Sequence, residues 1–204
     1  MSVLEIIPTK RDATIFHLKC TNDKVMEYFK QKIDENTGPE DYKTNVQGKM
    51  TEYAFFLQDS TFIDFMNKEF MKEMQKFTQI FPTAKSLVGE TRIVDAWGNK
   101  LEKGGEVIPH EHTLSNWSTI LYFCDSAPLE TEVGTFKTFK GKIITIPGWL
   151  RHWVSPINCK ERYNLVWNWN YSLVTKKELS KTETESMMNN YNLVKKEKTG
   201  EKNE

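Results

Sequence analysis

The chain has 204 residues, enough for one domain of ordinary size with an appendage. Hydrophobic residues make up 38% and aromatics 12%, which excludes a wholly disordered or collagen-like chain. Lys plus Arg (28) balances Asp plus Glu (28), so bulk charge favours neither a nucleic-acid partner nor an anionic membrane surface.

In chain order, the N-terminal part (1–86) reads as helices around a strand or two. Met1 to Ile7 reads as a short strand stopped by Pro8. Asp23 is the expected N-cap of a helix through Glu35, with Val25, Met26, Phe29 and Ile33 on one face. A second helix is expected from Ser60 to Phe77. Phe62, Met66, Phe70, Met74 and Phe77 recur every three or four residues along it, a stripe suited to packing on a sheet. Pro82 closes this region. From Leu87 the period changes to two, with expected strands at Leu87–Trp97, Val107–His112, Ser118–Cys124, Gly134–Phe139, Lys142–Ile146, Trp153–Ser155 and Arg162–Tyr171. Short strands without intervening helices predict an α+β, mainly β architecture: a jelly roll over 87–172, buttressed by the N-terminal helices. A single domain over 1–175 is expected, followed by a polar, disordered tail over 176–204 that has little to bury.

The residues that carry chemistry are concentrated in the strand-rich block. All six tryptophans and three of the four histidines fall between Trp97 and Trp169. In His110-Glu111-His112, strand alternation puts the two imidazoles on one face and Glu111 on the other. Imidazole is a common transition-metal ligand, so the pair suggests a metal. His152, led in by Pro147-Gly148-Trp149-Leu150-Arg151, can be brought beside the pair by a jelly roll and complete a three-nitrogen site. It also fits a structural histidine beside Trp149 and Trp153. Alternation from Arg162 places Arg162, Asn164, Val166, Asn168 and Asn170 on one face and Tyr163, Leu165, Trp167 and Trp169 on the other. An enclosed guanidinium requires an anion, either a ligand carboxylate or an acid of the protein.

These segments together resemble a known family. Trp97-Gly98-Asn99, His110-Glu111-His112, Ser118, Leu121-Tyr122-Phe123, Gly134, Phe136, Pro147 to His152 and Glu161-Arg162-Tyr163-Asn164-Leu165 stand in the order seen in the iron(II)/2-oxoglutarate-dependent oxygenases. The chain is most similar to the prolyl-4-hydroxylase-like branch, and within it to a group frequent in bacteriophages and marine microbes. The resemblance spans roughly 88–172, and Thr44-Asn45-Val46-Gln47-Gly48 is also similar to the group's N-terminal region. It implies a double-stranded β-helix with Fe(II) in its mouth, 2-oxoglutarate as cosubstrate and O₂ as oxidant. By position, His110 and His152 match the family's histidine ligands, and Arg162 matches the residue pairing with the distal carboxylate of 2-oxoglutarate. Tyr122 stands where related hydroxylases offer a phenol to that carboxylate, and Asn164 where many carry Ser or Thr. The departure is His112, which occupies the position of the usual Asp or Glu ligand.

Two other readings compete: a cupin-like three-histidine metal enzyme without 2-oxoglutarate, and a non-catalytic jelly-roll binding module. Gly104, Gly141 and Pro147 suit the cupin reading, which leaves Arg162 without a task. The expected partner is a peptide, amino-acid or other small substrate, with no nucleic acid and no membrane. No run approaches the ~18 apolar residues of a membrane helix, and Met1 to Glu5 do not read as a signal peptide. Cys20, Cys124 and Cys159, odd in number and without a CxxC, fit a reducing cytoplasm better than a disulfide framework.

Overall fold

Two antiparallel sheets face each other, and helices cover the outer side of the larger one. The structure is a computed structural model and describes residues 5–8, 13–38, 45–78 and 87–175. The expected tail at 176–204 and the helix-ending Pro82 lie outside the described residues.

The strands in chain order are β1 (Glu5–Pro8), β2 (Thr14–Lys19), β3 (Val46–Gln47), β4 (Lys49–Met50), β5 (Leu87–Glu102), β6 (Glu106–His110), β7 (Trp117–Tyr122), β8 (Leu129–Thr131), β9 (Gly134–Phe136), β10 (Lys142–Pro147), β11 (His152–Val154) and β12 (Glu161–Thr175). The larger sheet runs β1-β2-β10-β7-β12-β5-β4 and the smaller β3-β6-β11-β8-β9. Consecutive strands from β5 to β12 therefore alternate between sheets, except for the β8–β9 hairpin within the smaller sheet, as in a double-stranded β-helix. The expected jelly roll is present. Strands β2 and β8 were not expected individually. Thr14–Lys19 is buried at four successive residues, so its period-two signal is hidden, and β8 is only three residues long.

Helix α1 (Asp23–Asn36) begins one residue earlier than a cap at Asp23 would give: Asn22 is the cap, its side chain accepting from the Val25 N–H at 3.3 Å. Asp23 is then the first helical residue, where a negative charge suits the helix dipole. Met26, Phe29 and Ile33 form the buried face. Ile33 sits directly on the backbone of β5, where a Cβ on Gly98 would come within 2.1 Å of it, so this contact needs glycine. The second helix is not uniform. Helix α2 (Ser60–Phe65), capped by Asp59, passes through a wide π-type turn over Met66–Phe70 into α3 (Met71–Thr78). The stripe survives the wide turn, because Phe62, Met66, Phe70 and Met74 are all buried. The Phe77 side chain lies outside those described.

Strand β12 is where the two cores meet. Its outward face, Tyr163, Leu165, Trp167 and Trp169, belongs to the cluster beneath the helices, while Val166 belongs to the cluster between the sheets. Trp167 is fully buried, with the rings of Phe62, Phe65 and Phe70 edge-on at 6.0, 6.2 and 5.0 Å between centroids. Such pairs add to the area term of a large aromatic. We expect Trp167→Ala to lower unfolding free energy by about 3–5 kcal/mol, read by urea denaturation, with Trp167→Phe losing markedly less.

On β2, His17 faces the space between the sheets, edge-on to Phe136 at 5.5 Å, and its Nε2 has no partner. Burial, helped by the Lys142 charge, lowers its pKa from 6.5 to about 4. Because the folded pKa lies below the unfolded one, the unfolded chain binds more protons between these values. The contribution is therefore complete above pH 6.5 and is lost as pH falls towards 4, up to about 3 kcal/mol. His17→Leu should flatten this part of the stability–pH curve.

Candidate functional site

His110 closes β6 and His152 opens β11, and the two are direct partners in the antiparallel pairing of these strands. Partners across a ladder share a face, so both imidazoles point the same way, with ring centroids 4.4 Å apart. His112 reaches the site differently from the expected same-strand pairing, since β6 ends at His110 and His112 lies in the turn beyond it. The turn is held by the chain before His152. The His112 N–H donates to the Gly148 carbonyl at 2.7 Å, the Gly148 N–H to Asn116 at 2.8 Å and the Ser115 N–H back to His112 at 3.0 Å. A Cβ on Gly148 would meet the Ser115 carbonyl oxygen at 1.9 Å, so this lacing needs glycine. One ring nitrogen from each of the three histidines lies within 4.8 Å of the others. Glu111 is exposed, as alternation predicts.

The hydrogen bonds behind the rings set their tautomers. His110 Nδ1–H donates to the Ile108 carbonyl and His152 Nδ1–H to the Leu150 carbonyl, both at 2.9 Å, which frees each Nε2 lone pair. His112 Nδ1 lies 3.3 Å from the Asn168 amide nitrogen, while the Asn168 Oδ1 is buried without a partner. Turning that amide over gives Oδ1 the His112 Nδ1–H to accept, and readies the third Nε2 for a metal. Burial lowers all three pKa values, to about 4 for His112 and about 3 for His152, with neighbouring imidazoles adding to both. The cluster is neutral at pH 7, the form that coordinates metals.

A second group of polar side chains enters the same space from the larger sheet. Arg162 is 1% exposed, and its Nε and Nη1 have no hydrogen-bond partner. No carboxylate among the described residues pairs with it. Its guanidinium carbon lies 5.3 Å from the Tyr122 ring centroid, and the Tyr122 hydroxyl is also buried and unpartnered. Burial depresses the Arg162 pKa and pushes that of Tyr122 up to about 12, so the phenol keeps its proton. Asn164 is the direct partner of Tyr122, and its Oδ1 accepts from the Asn99 amide at 2.9 Å. The structure thus brings Arg162, Tyr122 and Asn164 together, and adds Asn99 of the Trp97-Gly98-Asn99 segment. The sequence reading did not single out Asn168 or Asp95 as site residues. Asp95 lies beside Asn168 across the ladder, and burial raises its pKa to about 6.

No protein-family model matches the sequence, and a search of curated proteins finds no match. Solved structures do match in fold. The collagen prolyl hydroxylase of Paramecium bursaria Chlorella virus-1, in complex with 2-oxoglutarate, aligns with a TM-score of 0.58 at 10% identity, over 76% of this chain and 94% of that one. A 2OG-Fe(II) oxygenase-family oxidoreductase from Burkholderia pseudomallei aligns with a TM-score of 0.55 at 15% identity, over 76% and 83%. A prolyl-4-hydroxylase from Pseudomonas putida gives 0.53 at 12%, over 76% and 91%. The fold is that of the 2-oxoglutarate oxygenases. It is the fold that the ordered motifs implied, and the backbone match reaches beyond the 88–172 block that carries them. No helix among the described residues is long and apolar enough to cross a membrane.

The donor set fits a divalent transition metal: three neutral imidazoles, two already presenting Nε2 and the third one amide rotation away. We expect one Fe(II), Co(II) or Ni(II) per chain by elemental analysis. His110→Ala and His152→Ala should each weaken metal binding by about 100-fold or more, measured by competition with a chelator.

Proposed function

We propose that this chain is an Fe(II)/2-oxoglutarate-dependent oxygenase that hydroxylates a peptide, amino-acid or other small substrate, with decarboxylation of 2-oxoglutarate to succinate. The observation that carries the reading is Arg162, a buried guanidinium with two unpartnered nitrogens in the same barrel as the three-imidazole cluster. An uncompensated buried charge costs several kcal/mol, and a carboxylate presented to Nε and Nη1 removes that cost through paired, charge-assisted bonds.

In this reading His110, His112 and His152 hold the metal, and Arg162 binds the distal carboxylate of the cosubstrate. Tyr122, protonated at neutral pH, donates its hydroxyl to the same carboxylate. Asn99 holds the Asn164 oxygen, which leaves the Asn164 amide nitrogen as a donor towards the cavity. Ile120, Val166 and Val154 wall the space between the sheets and exclude water from it. Iron held by the three imidazoles would supply the redox chemistry that activates O₂.

His112 in place of a carboxylate leaves the ligand set uncharged. A dianionic cosubstrate offsets both the metal charge and Arg162, so the exchange of a ligand type is compatible with the activity. The cupin-like alternative accounts for three histidines but leaves a buried, unpaired Arg162 without purpose. The proposal sets the reaction in the cytoplasm, where Cys20, Cys124 and Cys159 remain free thiols.

The test is anaerobic 2-oxoglutarate binding followed by succinate formation. Arg162→Gln should weaken 2-oxoglutarate binding by about 1.5–3 kcal/mol while metal content stays at the wild-type level. Wild-type protein that carries metal but binds no 2-oxoglutarate would sink the reading.

A further inference from the structure

Besides His17 Nε2 and Trp97 Nε1, the unpartnered polar atoms inside the barrel fall into two groups, and the proposed cosubstrate accounts for only one. Arg162, Tyr122 and Asn99 form the first. The second is a row across three strands: Asp95 on β5, Asn168 on β12 and Ser118 on β7, joined by direct pairings of Asn168 with both neighbours. Asp95 Oδ1, Asn168 Oδ1 and Ser118 Oγ are all buried without a hydrogen-bond partner. Asn168 is 4% exposed and Ser118 is 0%, whereas Asp95 is half-buried, so the row runs inward from the surface.

A break in strand register bounds this row on β5. Trp169 pairs with Ile93 and Asn168 with Asp95, so Val94 is an extra residue, a bulge, on β5. Without it Ile93 and Asp95 would share a face. With it Ile93 packs beneath the helices, while Asp95 keeps the face of Trp97 and Asn99, where Asn168 touches His112. Turning a carboxylate into a barrel costs free energy unless a partner meets it. Asn168 stands between Asp95 and His112, and Asp95 Oδ1 has no donor.

The surroundings define that partner. Asp95 Oδ1 and Ser118 Oγ can both accept, the Trp97 indole N–H is an unpartnered donor beside them, and no Lys or Arg forms an ion pair with Asp95 among the described residues. Two aromatic rings stand beside the row. Tyr53 is held against β5 by the Ala96 N–H bond to its carbonyl, its ring is edge-on to Trp97 at 5.1 Å, and Trp97 in turn lies 5.9 Å from His112. Tyr53 is 46% exposed and so lines the way in. An ammonium or guanidinium brings several N–H donors and no acceptor, and it is attracted to aromatic faces.

We propose that Asp95, Asn168 and Ser118, flanked by Tyr53 and Trp97, form the subsite for a cationic group of the primary substrate, an ammonium or guanidinium carried on a flexible chain. The row is adjacent to His112, so a group anchored there holds neighbouring carbons of the substrate close to the metal cluster. This inference rests on the oxygenase reading for the identity of the ligand as substrate, but the cation preference can be measured independently of it.

The experiment uses the full chain loaded with redox-inert Zn(II), with and without 2-oxoglutarate. Three probes are titrated by calorimetry: N-acetyl-lysine methylamide, N-acetyl-arginine methylamide and the neutral N-acetyl-norleucine methylamide. At least one cationic probe should bind tenfold or more tighter than the norleucine probe, and the better of the two identifies the cation. Asp95→Asn, nearly isosteric, should abolish the preference, and Tyr53→Ala should reduce it several-fold. Both variants should retain wild-type zinc content and 2-oxoglutarate affinity. Equal affinity for all three probes in protein that binds 2-oxoglutarate overturns the subsite and leaves the oxygenase reading standing. A cation preference in protein that binds no 2-oxoglutarate supports the subsite and overturns the oxygenase reading. Loss of zinc or 2-oxoglutarate binding in Asp95→Asn makes Asp95 structural and overturns the subsite.

Discussion

Strand β12 is buried on both faces, and the arrangement of the site follows from that constraint. A strand that contributes Trp167 and Trp169 to the core under the helices must turn Arg162, Asn164, Val166 and Asn168 to the other side. Slipping its register by one residue would put a guanidinium and two amides under the helices and two indoles in the barrel. The packing of Phe62, Phe65 and Phe70 around Trp167 therefore fixes the direction in which Arg162 points. Stability and function are coupled through this one strand. The helices have no part in the chemistry, yet they hold the polar face of β12 towards the histidines.

The interior charge pattern is consistent with a site assembled for an anion and a metal together. Burial keeps the imidazoles neutral, and the Arg162 charge has no acid beside it. A facial triad with a carboxylate would carry one negative charge of its own, but this set carries none. In the proposed reading metal and dianion would depend on each other electrostatically: the anion would offset a charge that the protein leaves uncompensated, with Arg162 at its far end. Such coupling makes metal affinity sensitive to the cosubstrate, in contrast to a site that closes its own charge balance.

The polar row at the other end has the opposite sign. Asp95 is linked to His112 through Asn168, which pairs with Asp95 across the ladder and touches the His112 ring. One barrel thus presents a cation (Arg162) and a carboxylate (Asp95) on either side of a neutral imidazole cluster. Under the two proposals above, this polarity would give substrate and cosubstrate distinct places to bind.

Much of this was legible in the sequence. The change of period at Leu87 marked the β core, the 3–4 spacing of Phe62, Met66, Phe70 and Met74 marked the helical cover, and the ordered histidine and arginine segments marked the site. Those signals are local, because burial on one face imposes a period on the residues themselves. Other features depend on how distant segments meet. His112 lies off the end of β6 and is carried to the cluster by Gly148, a contact that strand alternation does not encode. Asn22 and not Asp23 caps α1, a choice between two adjacent good capping residues that backbone geometry makes. Alternation from Trp97 and Asn99 carries Asp95 onto the barrel face, but continued through the Val94 bulge it puts Ile93 there too, whereas Ile93 packs beneath the helices. Periodicity assumes an unbroken ladder, whereas the side Ile93 faces is decided by a single extra residue against β12, which only the assembled sheet reveals.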